Sequence, residues 1–222
     1  MAPGLSVDNL DFGKCLISGA HLMGLDISDR VASKLGTFHQ LLLRWNERIN
    51  LTSITGLEES IEKHYLDSLV ALREVGEEDS VLDLGAGAGF PGIPWAIARP
   101  GLQVTLVDSV VKKVKFVKSA IASLSLGGVD AVHVRLSGDP LREGLVPADC
   151  VVSRAFLSPI EWVSFALPYV KKGGRIVLMA GANLDVQEVE KRALRLGLRL
   201  GPVRRYTLPF SRSVHLVLRF EV

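Results

Sequence analysis

The segment Asp83-Leu84-Gly85-Ala86-Gly87-Ala88-Gly89-Phe90-Pro91-Gly92 sets a carboxylate beside glycines at alternate positions. Such spacing suits a ligand held against backbone, because a Cβ at these glycines blocks either the tight turn or the close approach. The segment lies between a β-rich run and a helical stretch, where open α/β sheets bind ligands. Pro91 and Pro94 fit a first helical turn, whose N–H groups have no intrahelical partner. Asp108 follows 19 residues after Gly89, and a carboxylate there can accept hydrogen bonds from both ribose hydroxyls of an adenosine cofactor. It also suits the N-cap of the next helix, and the two roles are compatible. GxGxG in place of GxGxxG, with a closing hairpin later in the chain, favours S-adenosylmethionine over a nicotinamide dinucleotide. The backbone of Gly85, Ala86, Gly87 and Gly89 would receive the cofactor. Asp83 would reach its methionine end through water. Phe90 lies either near the sulfonium or in the core.

The elements that must position these residues follow from periodicity. Residues 1 to about 27 show no sustained period. Ser28 then offers an N-cap for an amphipathic helix to about Ile49. Thr55 and Glu58 have capping-box spacing before Ile61, Tyr65, Leu66, Leu69 and Leu72, which predict a second helix to Val75. From Ser80 short β-rich runs alternate with helical stretches: 81–84, 104–108, 131–135, 150–153 and 175–179, the last after a Lys171-Lys172-Gly173-Gly174 turn. Near-continuous apolar runs predict a parallel sheet covered on both faces. Val203 to Thr207 and Val214 to Phe220 predict a closing antiparallel hairpin. The expected architecture is a Rossmann-like α/β fold with a mostly parallel seven-stranded sheet, residues 1–75 forming a helical cap on a core of 76–222 within one compact unit.

Apolar residues make up 48% of the 222 and charged residues 23%, the balance of a folded globular chain and not of a disordered one. No apolar run is long enough to span a bilayer, and Asp8, Asp11 and Lys14 interrupt any secretory stretch, so a cytoplasmic protein with no membrane association is expected. Cys15 and Cys150 stand far apart without a CxxC or Cys/His cluster, which argues against disulfides and against a metal site. The net charge of +2 is small, but Lys112, Lys113, Lys115 and Lys118 crowd one segment and arginines enrich the C-terminal part. These are either solvated helix faces or a phosphate-binding surface.

Several stretches between residues 40 and 180 resemble the bacterial 16S rRNA guanine-N7 methyltransferases, the family of glucose-inhibited division protein B, or ribosomal RNA small subunit methyltransferase G. They are Trp45-Asn46 with Asn50-Leu51-Thr52, His64-Tyr65-Leu66-Asp67-Ser68, the run from Val81 through Gly89-Phe90-Pro91-Gly92-Ile93-Pro94, Leu106-Val107-Asp108-Ser109 with Lys112-Lys113 and Phe116, Arg135, and Ser153-Arg154-Ala155. The resemblance implies methyl transfer from S-adenosylmethionine to guanosine N7 in 16S rRNA or the small ribosomal subunit; a monomer without metal is expected. Guanine N7 carries a free lone pair, so orientation dominates over deprotonation. Ser153-Arg154-Ala155-Phe156 also stands where exocyclic-amine methyltransferases carry Asp/Asn-Pro-Pro-Tyr.

By the same resemblance Arg135 and Arg154 are the catalytic and RNA-side residues, since guanidinium groups hold phosphate or the acceptor edge of guanine. Arg154 and Ser109 also join Asp83 and Asp108 on the cofactor side, and Lys112 and Lys113 are expected to meet RNA phosphates. His64 and Asp67 lie three apart on one helical face, as a site cap or as a structural pair. The family's usual Lys-Gly after the fifth strand reads Ala180-Gly181 here, for which Lys171, Lys172 or Arg175 are possible substitutes. Two further readings stay open: a methyltransferase with a non-RNA acceptor, and a catalytically silent RNA-binding paralogue.

Overall fold

The computed structural model describes residues 7–154 and 156–222. Residues 1–6 of the expected cap and Ala155 of the Ser153-Arg154-Ala155 stretch lie outside the described residues. Helix α1 (Val7–Leu22) fills a stretch without an evident period. From residue 11 on, its buried side is Phe12, Leu16, Gly19 and Ala20, with Cys15 and Ile17 partly buried beside them, and the small Gly19 and Ala20 leave little apolar signal in the sequence. Ser28 caps α2 (Asp29–Asn46) through Val31 N–H, and Leu35, Phe38 and Leu42 form its buried face. The Thr55–Glu58 capping box does not form: Gly56 is the N-cap of α3 (Leu57–Ser60), so Glu58 sits one position too early to close the box. Helix α3 runs on through a π-helical turn (Ile61–Leu66), α4 (Asp67–Ala71) and a 3₁₀ turn (Leu72–Glu74). Such π turns are rare and often occur at functional sites.

The α/β part continues as β1 (Ser80–Leu84), α5 (Gly92–Ala98), β2 (Gln103–Asp108), α6 (Val111–Ser123), β3 (Val129–His133), β4 (Ala148–Arg154), α7 (Pro159–Ala166), β5 (Val170–Gly181), α8 (Val186–Arg195), β6 (Arg199–Leu200), β7 (Arg204–Thr207) and β8 (Val214–Glu221). The sheet order is β3-β2-β1-β4-β5-β8-β6, with β7 also on β8. Strands β1 to β5 pair parallel and β8 antiparallel. Eight strands replace the expected seven because Gly201-Pro202-Val203 splits one strand into β6 and β7, and Pro202 has no N–H for the ladder. Strand order reverses between β1 and β4, which places the ligand crevice at their C-terminal ends.

Strand residues alternate between two cores. Val81, Cys150, Val152, Val177 and Val217 share one core with Phe12, Phe38 and Tyr65 of the N-terminal helices and with Phe90 and Trp95 at α5. Leu82, Val151, Ile176 and Leu218 face α7 and α8 through Trp162, Val163 and Val189. Helices α5 and α6 lie on the Val81 side of the sheet, and α2 and α4 pack on them. Strand β5 begins earlier than expected: Gly173, at φ +79°, and Gly174 lie inside it opposite a register shift at Ala148/Cys150. Among the described residues no helix is long and apolar enough to cross a membrane, and no group of three or more His, Cys, Asp and Glu is arranged to hold a metal ion.

Candidate active site

The loop after β1 wraps over the end of β2. Gly85 and Ala86 N–H both donate to the Val107 carbonyl, at 2.8 and 3.0 Å, and Gly85, Gly87 and Gly89 have φ of +74, +58 and +87°, a region that side chains avoid. Asp108 closes this loop: one oxygen accepts from Gly87 N–H at 2.9 Å and the other from Val110 N–H at 2.8 Å. The expected N-cap is therefore an Asx turn, with Val110 itself at the N-cap of α6. A carboxylate oxygen can accept more than one hydrogen bond, and Asp108 lines a cavity of about 560 Å³ with Gly85, Ser109, Lys113 and Arg135, and with Val110, Val134, Leu136 and Phe156. Arg135 lies two residues beyond β3 and enters this cavity from the loop. Lys112 is exposed on α6 while Lys113 turns inward.

Asp83 lies beneath the loop, fully buried. One oxygen accepts from Gly92 N–H at 2.8 Å, while Oδ1 has no hydrogen-bond partner. Burial raises its carboxyl to about 7, against the opposing effects of the Gly92 N–H and Arg154. Ala86 and Phe90 are buried as well, and Gly89 packs on Ile93: a Cβ there would lie 2.7 Å from Ile93 Cγ1. Phe90 stacks on His64 with centroids 4.6 Å apart, and the Arg154 guanidinium carbon stands 5.3 Å from its ring centre.

A second cavity, of about 410 Å³, opens on the other side of the β1/β4 junction, lined by Lys63, His64, Asp67, Ser153, Arg154 and Phe156 among others. Arg154 is held by two directed bonds, Nη1 to the Lys63 carbonyl at 2.5 Å and Nη2 to His64 Nδ1 at 3.0 Å. Arginine only donates, so His64 Nδ1 accepts and its Nε2–H donates to Thr52 Oγ1 at 3.0 Å. The imidazole is therefore neutral, in keeping with burial and the adjacent guanidinium lowering it to about 3. Thr52 is in turn placed by Asn46, whose carboxamide oxygen accepts from Leu51 and Thr52 N–H and whose amide donates to the Thr52 carbonyl.

His64 and Asp67 do not form the pair that their spacing suggested. Asp67 Oδ1 accepts from Tyr206 OH at 2.6 Å and meets His215 Nδ1 at 2.7 Å, while Oδ2 lies 4.0 Å from Arg154. The Asp67 hydrogen bond pushes His215 above its usual value. Tyr206, His215 and Trp162 were not singled out from the sequence: they reach the site from β7, β8 and α7, and only the pairing of β7 with β8 brings Tyr206 beside His215. Ala180 and Gly181 line this cavity, at the C-terminal end of β5. Lys171 and Arg175 stand at the other end of that strand, on Asp149 and Asp79, and so cannot replace a lysine at 180.

The arrangement fits an adenosine cofactor. Asp108 offers two acceptor oxygens in one cavity, the glycine loop lets a ligand approach backbone, and Asp83 Oδ1 and Ser153 Oγ are buried polar atoms without partners at the two strand ends. Asp108→Asn, which keeps one acceptor oxygen, is expected to weaken S-adenosylmethionine binding about tenfold, by the loss of one charged hydrogen bond. Both variants should also lower the melting temperature, Asp108→Asn by setting its NH2 against the Gly87 or the Val110 N–H and Asp108→Ala further, by leaving both donors unpaired. Isothermal calorimetry beside thermal melts separates these effects, and unchanged affinity in both variants would remove Asp108 from the cofactor site.

Residues 31–200 match the family model described as rRNA small subunit methyltransferase G. A ribosomal RNA small subunit methyltransferase G of Myxococcus xanthus is 44% identical over 214 residues, 96% of this chain and 99% of that protein. Its namesake in Anaeromyxobacter sp. strain Fw109-5 is 43% identical, covering 95% and 97%. Among solved structures, a SAM-dependent methyltransferase from Aquifex aeolicus superposes with TM-score 0.55 at 17% identity, over 73% of this chain and 93% of that one. A precorrin-6y C5,15-methyltransferase from Geobacter metallireducens gives 0.54 at 15%, over 70% and 87%. At these identities the two structures speak to the fold.

Proposed function

This chain belongs to the rRNA small subunit methyltransferase G family, and we propose that it methylates N7 of a guanosine in 16S rRNA, acting as a monomer. The observation that carries the reading is the meeting of two cavities at the β1/β4 switch point, one built around Asp108 and the other around Arg154. S-adenosylmethionine, the family's methyl donor, supplies an electrophilic methyl group when bound. Asp108 would hold its ribose hydroxyls, the Gly85 to Gly89 backbone its central part, and Asp83 its ammonium end through water.

Guanine N7 attacks with its own lone pair, so the residues of this chain have no proton to remove and act by placing the base. Arg154 is suited to donate to guanine O6 while N7 stays free. The guanidinium does not favour the positive charge that methylation puts on the ring, which makes its contribution positional, and Asp67 at 4.0 Å tempers the repulsion. The neutral His64 adds no further cation. Arg135, Lys113 and the exposed Lys112 are assigned to RNA phosphates along the rim.

The reading is tested by methyl transfer from labelled S-adenosylmethionine to unmodified 16S rRNA, naked and within small subunits, with mapping at N7. A single labelled guanosine supports it. Transfer only to a protein or small molecule, or cofactor binding without transfer, would replace it with one of the two other readings. For the phosphate contacts, Lys112→Ala with Lys113→Ala is expected to reduce the slope of log affinity against log salt by about 2, roughly one per lysine. An unchanged slope in filter binding would return both lysines to a solvated helix face.

A further inference from the structure

The two cavities share one wall, Phe156. It stands just beyond β4, with its ring against the first glycine of the cofactor loop: a Cβ on Gly85 would come within 2.5 Å of Phe156 Cδ2. Its other neighbours are aromatic, Phe165 at 5.7 Å and Trp162 edge-on at 6.5 Å between centroids. Yet 38% of Phe156 is exposed, as is 37% of Leu157, at the lip of a cavity whose polar rim is Lys63, Asp67, Arg154 and His215. A cavity with apolar walls and a few polar groups at its rim suits a partly apolar ligand, and the face of a purine is such a ligand.

We infer that Phe156 is a positioning residue for the acceptor, the ring on which the guanine stacks while Arg154 holds its edge. This rests on the rRNA methyltransferase reading above. Methyl transfer requires donor and acceptor to meet at the boundary of the two cavities, and Phe156 is the side chain at that boundary. A stacked base has one translational and two rotational freedoms removed by the ring plane, and Arg154 restricts sliding within it. Aromatic stacking of a single base is worth about 5- to 150-fold in affinity.

The test compares Phe156→Tyr, Phe156→Trp and Phe156→Leu in the full-length protein, by kcat and KM on the RNA form that the wild type methylates and by calorimetric affinity for S-adenosylmethionine. Leucine matches phenylalanine in apolar character but has no π face. Tyrosine and tryptophan should stay within about threefold of wild type, and leucine should lose at least about tenfold in kcat/KM for RNA with cofactor affinity within about twofold. Phe156→Met repeats the contrast should leucine change the melting temperature. Full activity of the leucine variant overturns the inference. So does equal damage by all three substitutions, or a loss that follows cofactor affinity, which would make the ring a plug over Gly85. A wild type that transfers no methyl to RNA overturns the underlying reading instead, and shows this before any variant is made.

Discussion

Asp83→Asn is expected to melt at a higher temperature than the wild type at pH 8 and to bind S-adenosylmethionine more weakly. The carboxyl of Asp83 is fully buried, one oxygen has no partner, and burial raises it from 3.8 to about 7. Between those values the folded chain keeps a proton that the unfolded chain has lost. This group therefore subtracts stability as pH rises from about 4 to about 7, and the whole penalty is present above that. A shift of this size corresponds to about 4 kcal/mol. Asparagine is nearly isosteric, still accepts from Gly92 N–H, and carries no charge to desolvate. The gain should be absent near pH 4, partial at pH 5.5 and complete at pH 8, where it is expected to add roughly 5 °C or more to the melting temperature. The neutral side chain should lower cofactor affinity about tenfold, because the ammonium loses a charged partner. Melting curves of both proteins across this pH range and calorimetry at pH 8 check the two halves. A variant less stable than wild type at pH 8 would show that the buried charge is compensated; unchanged affinity would remove Asp83 from the cofactor's surroundings.

The two halves of the site differ in how legible they are in the sequence. The cofactor half is local: Asp83, the glycine loop and Asp108 are set by one strand–turn–helix unit and the strand beside it, so spacing alone pointed to their meeting. The acceptor half is assembled from distance. Thr52 orients His64, His64 fixes Arg154, and Asp67 is met by Tyr206 and His215 from a hairpin nearly 150 residues later. Long-range convergence leaves no periodicity to read, which is why a three-residue spacing suggested a His64–Asp67 pair and the fold assigned each a different partner. The same limit applies to the elements. Strands with continuous apolar runs are evident, whereas α1 buries the small Gly19 and Ala20 beside Phe12 and Leu16 and so shows little apolar periodicity, and the split of β6 from β7 depends on a missing N–H at Pro202.

Arg154→Ala is expected to lower kcat for RNA methylation about 100-fold, the scale associated with misplacing a reacting group by about an ångström, while S-adenosylmethionine affinity stays within about threefold. The side chain is anchored by the Lys63 carbonyl and His64 Nδ1, both from the π-helical turn, so its direction is set by the cap and not by the cofactor loop. Arg154→Lys keeps the charge but replaces a planar fork with a single ammonium, which cannot reproduce both bonds and an in-plane donor toward the guanine edge. It should therefore recover less than about a tenth of the lost rate, and charge alone would not account for the effect. The pH behaviour gives an independent readout. Arg154 is the second cause, after burial, of the low value of His64, so its removal should raise the His64 value while leaving it below 6.5, a change visible in the imidazole resonances on NMR titration. A residue that merely braces the fold would lower melting temperature, kcat and cofactor affinity together. Arg154 as a positioning group for the base predicts a loss concentrated in kcat, with the His64 titration moved and the cofactor retained; equal loss of cofactor binding would transfer Arg154 to the donor side of the site.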